Sequence, residues 1–261
     1  MKSVRVCRVS GSSLNREAEF DAVVIERAVT IMIDEVGSFT LMCTPSDVKA
    51  LAVGFIHSEG IIDSADDIID ISTAKEDQDV IGLRIHAPAC ATVMRNMIVT
   101  SSCGMCGVRT IQKALSNTPA CGNSLRIAPQ LLIDVMAQLQ SAQQVFQVTG
   151  GSHAAGVFDP DGRLIAFGED IERHNALDKA IGKCLLAGQT MTGCGVALSG
   201  RASYEMVVKS ARAGIELIAA ISATSSLAID VAEQWNITLC EFVRPGQTNV
   251  YTHPGRIIDA S

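Results

Sequence analysis

Val196-Ala197-Leu198, Ile215-Glu216-Leu217-Ile218-Ala219-Ala220-Ile221 and Ile237-Thr238-Leu239-Cys240-Glu241-Phe242-Val243 are three short, mostly apolar runs, and what lies between them decides the fold. Ser203 to Ala213 carries a helical pattern closed by Gly214, and Ser225 to Trp235 carries a second. Runs this short and this apolar read as strands buried on both faces. Strand, helix, strand, helix, strand predicts parallel pairing through right-handed crossovers. The expected class is α/β, with a three-layer α/β sandwich in the C-terminal part.

That order also predicts where a ligand would sit. Open α/β sheets bind beyond the carboxyl ends of their strands. Here those ends are Ser199-Gly200-Arg201, Ser222-Ala223-Thr224-Ser225 and Arg244-Pro245-Gly246-Gln247. Two of them lead into helix N-termini, and Arg201 and Arg244 add positive charge, a combination suited to phosphate. Ordinary connections also use small polar residues, so topology alone leaves both readings open.

Upstream, Leu131, Leu132, Val135, Met136 and Leu139 mark an amphipathic helix. Ala154–Phe158 and Arg163–Phe167 flank the turn sequence Asp159-Pro160-Asp161-Gly162. Leu177, Ile181, Cys184 and Leu185 mark another helix, with Asn175 and Asp178 as its expected cap pair and Gly188 closing it. Nearer the N-terminus, strands are expected at Ala22–Glu26, Val29–Ile33, Val36–Cys43 and Val80–His86. Thr44, Pro45 and Asp47 read as the start of a helix that buries Val48, Leu51, Ala52, Phe55 and Ile56. The expected division is an N-terminal α+β domain over 1–100, a mobile loop over 101–125 and an α/β domain over 126–261.

The loop holds Ser101-Ser102-Cys103-Gly104-Met105-Cys106-Gly107, two thiols among small residues. Three chemistries fit. Cys90, Cys103, Cys106 and Cys121 could close a zinc site, although only one pair has two-residue spacing. A redox dithiol at a helix start is the second, but no strand is legible ahead of it to position the motif. Sulfur carriage is the third: one thiol holds a persulfide and the other attacks the inner sulfur to release the outer one. Residue chemistry alone does not rank the two thiols.

Composition narrows the class. The net charge is −7 over 261 residues, which argues against a nucleic-acid partner. No secretory leader or membrane-length apolar run is legible, so a cytoplasmic protein is expected. Cys7, Cys43, Cys184 and Cys240 lie in apolar surroundings and read as small buried hydrophobes, with Cys194 similar.

Five segments taken together resemble the formate dehydrogenase accessory sulfurtransferases. They are the Cys103–Cys106 motif, Gly150-Gly151-Ser152-His153-Ala154, Glu172-Arg173-His174-Asn175-Ala176-Leu177-Asp178-Lys179, Gly200-Arg201-Ala202-Ser203-Tyr204-Glu205-Met206, and Phe242-Val243-Arg244-Pro245-Gly246. The resemblance implies a sulfur carrier. It would take sulfur from a cysteine desulfurase and deliver it to a molybdenum (or tungsten) bis-molybdopterin guanine dinucleotide cofactor destined for formate dehydrogenase. It implies Cys103 as the persulfide site with Cys106 assisting, Phe242 to Gln247 as a cofactor-binding stretch, and a homodimer. Arg201, Ser222 and Thr224 on the neighbouring loops would complete that rim. It further implies a cytidine deaminase-like C-terminal fold. The zinc ligands of a deaminase are missing, because His153-Ala154-Ala155 lacks the following Glu and Ser199–Ser203 holds no cysteine pair. No metal site is therefore expected.

Overall fold

The computed structural model describes residues 1–7, 9–10, 13–14, 19–73, 79–86, 97–99 and 120–259. The first part holds β1 (Lys2–Val6), β2 (Val9–Ser10), β3 (Ser13–Leu14), β4 (Glu19–Val23), β5 (Arg27–Ile33), β6 (Gly37–Cys43), α1 (Val48–Ser58), β7 (Ile68–Thr73), β8 (Val80–Ile85) and β9 (Met97–Val99). The second holds α2 (Pro129–Ala142), α3 (Gln144–Thr149), β10 (His153–Phe158), β11 (Leu164–Asp170), α4 (Arg173–Leu186), β12 (Gly195–Leu198), α5 (Tyr204–Arg212), β13 (Leu217–Ala220), α6 (Ser226–Gln234), β14 (Thr238–Arg244) and β15 (Gln247–Thr252).

The second sheet has the order β11-β10-β12-β13-β14-β15. β12, β13 and β14 are parallel, as the βαβαβ pattern requires, and antiparallel strands complete both sides. Strand alternation sorts the core into two halves. Val196, Leu198, Ile218, Ala220 and Leu239 pack under α4, α5 and α6. Ala197, Leu217, Ala219, Cys240 and Val243 pack with Leu132, Val135, Met136 and Leu139 of α2. Helices therefore cover both faces, which gives the three layers.

The first sheet has the order β7-β8-β5-β6-β9 and buries Val29, Ile31, Phe39, Leu41, Ile81 and Leu83 against Leu51, Phe55 and Ile56 of α1. The turn at Asp34 and Glu35 joins β5 and β6 as expected. β9 pairs in parallel with β6 (Phe39↔Met97, Leu41↔Val99). A strand thus does lead toward the cysteine motif, contrary to expectation. With three residues, Met97 to Val99 is too short to show an alternating pattern.

The opposite faces of α1 and α4 meet at van der Waals distance. A Cβ on Gly54 would come within 2.6 Å of the Asp178 carbonyl carbon, and one on Gly182 within 2.7 Å of the Ala50 carbonyl carbon. Only glycine lets the backbones approach so closely. Polar groups knit the same contact. Lys179 Nζ lies 2.6 Å from Asp170 Oδ2 and donates to Thr44 O at 2.9 Å. Lys209 Nζ reaches Asp178 at 2.8 Å, and Ser58 Oγ donates to Asp178 Oδ1 at 2.7 Å. Burial opposes the Lys209 charge, but Asp178 and Glu59 outweigh it and hold that lysine above its ordinary pKa.

Two expected caps are reassigned by this contact. Asn175 and Asp178 lie inside α4, whose N-cap is Glu172; Asn175 Nδ2 donates to Met42 O and Asp178 holds Ser58 and Lys209. Thr44 is not the cap of α1 either. Its N–H donates to Asp170 Oδ2 and its hydroxyl accepts from Ile171 N–H, while Asp47 takes the N-cap position at φ 53° without a side-chain cap bond. Capping residues were needed more for joining the two sheets. Cys7 is exposed rather than buried, whereas Cys43, Cys184, Cys194 and Cys240 are buried as expected.

Candidate functional site at the carboxyl edge

The parallel register places the ends of β12, β13 and β14 along one edge. β10 runs the other way and β11 runs the same way as β12, so the start of β10 at His153 and the end of β11 at Asp170 reach the same edge. α4 begins there with Arg173 and His174.

Local bonds set the loops. Ser199 Oγ accepts from Ala154 N–H at 2.8 Å, tying the end of β12 to β10. Gly200 leaves room for His153, whose Nδ1 would stand 3.3 Å from any Cβ there. Ala202 and Thr224 form an isolated parallel bridge, and Thr224 Oγ1 donates to Ala202 O at 3.0 Å. Ser225 caps α6 by accepting from Ala228 N–H. His174 Nε2 stands 2.8 Å from Glu205 Oε2 on the first turn of α5. The two form an ion pair, and this contact with His174 holds the Glu205 carboxyl below its ordinary range. Burial, followed by the Arg173 charge, lowers the His153 pKa.

The expected rim residues fall on this edge with different exposures. Arg201 is exposed, and Ser222, Thr224 and Phe242 are half-buried. Arg244, Pro245, Gly246 and Gln247 form the exposed tip of the β14–β15 hairpin, where Arg244 Nη2 donates to Gln247 Oε1 at 2.7 Å. Val243 turns inward and packs under α2. Cys103 and Cys106 lie outside the described residues. So does Cys90. Cys121, the fourth candidate zinc ligand, is buried with Sγ toward Ala211 O, and burial pushes its thiol up to about 11.

Orphaned polar atoms gather here. Among the described residues, buried side-chain atoms with neither a hydrogen bond nor an ion pair include Arg173 Nε, Ser203 Oγ, both Glu241 carboxylate oxygens and His57 Nδ1. All but the last belong to the carboxyl edge. Buried polar groups are normally satisfied, so a cluster of exceptions marks a place where a polar ligand completes the set. The reading from sequence missed Glu241, Ser203 and Arg173 as site residues. A charged residue within the apolar run Ile237–Val243 was the available signal for Glu241.

The other end of the sheet is different. Glu216 accepts from Ser124 N–H and Oγ, Leu125 N–H and Gly193 N–H, and Arg256 Nε lies 3.4 Å away. Burial pushes its carboxyl up, but these donors outweigh burial and bring it below its ordinary value. This network anchors the chain from Gly122 onward to the amino end of the strands.

A three-layer α/β sheet with unpartnered polar atoms along its carboxyl edge defines the class: an α/β protein whose candidate ligand site is that edge. The chain belongs to the FdhD/NarQ family, whose profile matches residues 24–258. It is 38% identical over 263 residues to a sulfur carrier protein FdhD of Sulfurisphaera tokodaii, covering 99% of each chain. It is 35% identical to the protein of the same name in Saccharolobus solfataricus, covering 98% of each. The crystal structure of a formate dehydrogenase accessory protein from Desulfotalea psychrophila shares the fold, with a TM-score of 0.77 at 24% identity over 98% of this chain and 99% of that one.

Proposed function

We propose that this chain carries sulfur. It accepts sulfur from a cysteine desulfurase on Cys103 and passes it to a bis-molybdopterin guanine dinucleotide cofactor of molybdenum or tungsten, which is its substrate, before that cofactor enters formate dehydrogenase. The naming of its relatives supports carriage, and the orphaned polar atoms of the carboxyl edge support a nucleotide-bearing substrate there. No helix among the described residues is long and apolar enough to cross a membrane. Work in the cytoplasm as a homodimer belongs to the same reading.

The observation that carries it is the starting point of the cysteine segment. β9 ends at Val99, opposite Leu41 of β6. Three residues on from Leu41, just past the end of β6, Thr44 N–H bonds Asp170, and Asp170 is paired with His153 on the edge. Covalent geometry keeps Cys103 within about 14 Å of Val99 whatever path the chain takes. A thiol on so short a tether, starting beside the edge, suits delivery to it.

The chemistry balances in two steps. The Cys103 thiolate attacks the outer sulfur of the desulfurase persulfide, forms a new S–S bond and releases the desulfurase thiolate. The Cys106 thiolate then attacks the inner sulfur of the Cys103 persulfide, which expels the outer sulfur as a sulfide equivalent and leaves a Cys103–Cys106 disulfide. A cellular dithiol reopens that bond by exchange. The test is activation of formate dehydrogenase by variants. Cys103→Ala should abolish it. Full activation by a protein lacking both thiols would instead make the chain a non-covalent cofactor chaperone.

A further inference from the structure

Glu241 on β14 and Glu216 just ahead of the neighbouring β13 are both fully buried, yet the fold treats them oppositely. Glu216, at the amino end, is surrounded by donors. Glu241, at the carboxyl end, has no hydrogen bond to either oxygen. Thr224 turns its N–H and hydroxyl toward Glu241 and partly offsets the burial that pushes this carboxyl up to about 7. Neither group closes to a hydrogen bond, and the Thr224 hydroxyl donates to Ala202 O instead. The backbone is also strained at this point. Phe242 sits at φ 51°, and the β14–β15 register shifts between Glu241 and Arg244. A bulge there re-aims the strand end, and strain and unsatisfied charge coinciding at one strand end mark a functional position.

An ionised carboxylate is an acceptor with two oxygens side by side. Its complement is a pair of adjacent N–H donors. The Watson–Crick edge of guanine offers such a pair, N1–H and the 2-amino group; adenine offers an acceptor at N1, and hypoxanthine lacks the amino group. We infer that Glu241 is the residue through which this chain selects guanine, a base entering beneath the half-buried Ser222–Thr224 loop and bonding both carboxylate oxygens. This rests on the guanine dinucleotide substrate proposed above. The Ala202–Thr224 bridge and the Thr224 hydroxyl bond to Ala202 O fix that loop beside Glu241. A site built around such donors rejects an analogue lacking one of them much more strongly than a purely apolar pocket rejects a missing methyl.

Titration calorimetry with guanosine, inosine and xanthosine diphosphates tests it on the full chain. Wild type should bind the guanosine form at least about tenfold more tightly than the inosine form. Glu241→Gln offers one acceptor and one donor, matching xanthine's N1–H and 2-carbonyl, so it should lose guanosine diphosphate and gain xanthosine diphosphate. A thermal melt of the variant establishes that it is folded, and the wild-type ratio needs no variant. A wild-type preference for guanosine over inosine diphosphate below about twofold, or a Glu241→Gln protein that keeps the wild-type preference, overturns the role of Glu241 while leaving the proposed function intact. Wild type that binds none of the three overturns the proposed substrate and this role together.

Discussion

Replacing Gly54 by alanine tests how firmly the two sheets are joined. The new Cβ would lie within 2.6 Å of the Asp178 carbonyl carbon, where ordinary contact begins near 3.4 Å, and closer still to the oxygen. Both sides are helix backbone, so no rotamer relieves the clash, and α1 and α4 must part by roughly 1 Å. That displacement carries the 2.7 Å bond from Ser58 Oγ to Asp178 beyond hydrogen-bonding range. Overpacking costs about 1–3 kcal/mol and the lost bond to a charged group about 1.5–3. Alanine's better helix propensity returns about 1 kcal/mol. The net loss is about 1.5–5 kcal/mol, or roughly 3–20 °C in melting temperature for a chain of this size. Calorimetric melting measures it. Gly255→Ala is the control, because no atom lies within 4 Å of its Cβ, and it should melt within about 2 °C of wild type. A Gly54→Ala protein that melts as close to wild type as that control would refute the close helix contact.

Glu216→Gln should cost about 3 kcal/mol in urea unfolding, because buried Arg256 loses its counter-charge and one of the donors around Glu216 meets an amide N–H. Its folded pKa lies below 4.5, so its stabilisation is complete above pH 4.5 and is lost as pH falls through the folded value; that acid-side loss should be smaller in the variant. Glu241 has the opposite sign. With its folded pKa pushed up to about 7, the native state holds the proton more tightly than the unfolded chain, and stability falls as pH rises from about 4.5 to about 7. Above pH 7, Glu241→Gln should therefore be more stable than wild type by about 1–3 kcal/mol in the same urea assay, although it binds guanosine diphosphate less tightly. An unchanged or lower stability at pH 8 would contradict the buried, ionised carboxylate.

The C-terminal sheet was legible because the period of its pattern switches between strand and helix with Gly214 punctuating it, and the carboxyl-edge rule then located the loops. The helix from Arg173 was legible as a helix but not as a joint. Asn175 and Asp178 have capping chemistry, and only the approach of α1 at Gly54 turns them into buried bridges. Thr44 fails as a cap for the same reason: its partners, Asp170 and Ile171, are more than a hundred residues away. β9 was hidden by its length, since pairing with β6 rather than its own pattern makes it a strand. Arg201, Ser222 and Thr224 came from topology, whereas Glu241 was absorbed into an apolar run although its charge was visible there.

Sulfur carriage is tested most directly by intact mass spectrometry of the chain after incubation with a cysteine desulfurase and cysteine. The account predicts a gain of the mass of one sulfur, lost on reduction, abolished by Cys103→Ala and retained by Cys106→Ala. A wild-type chain that gains no sulfur, or a Cys103→Ala chain that still gains it, would contradict the account.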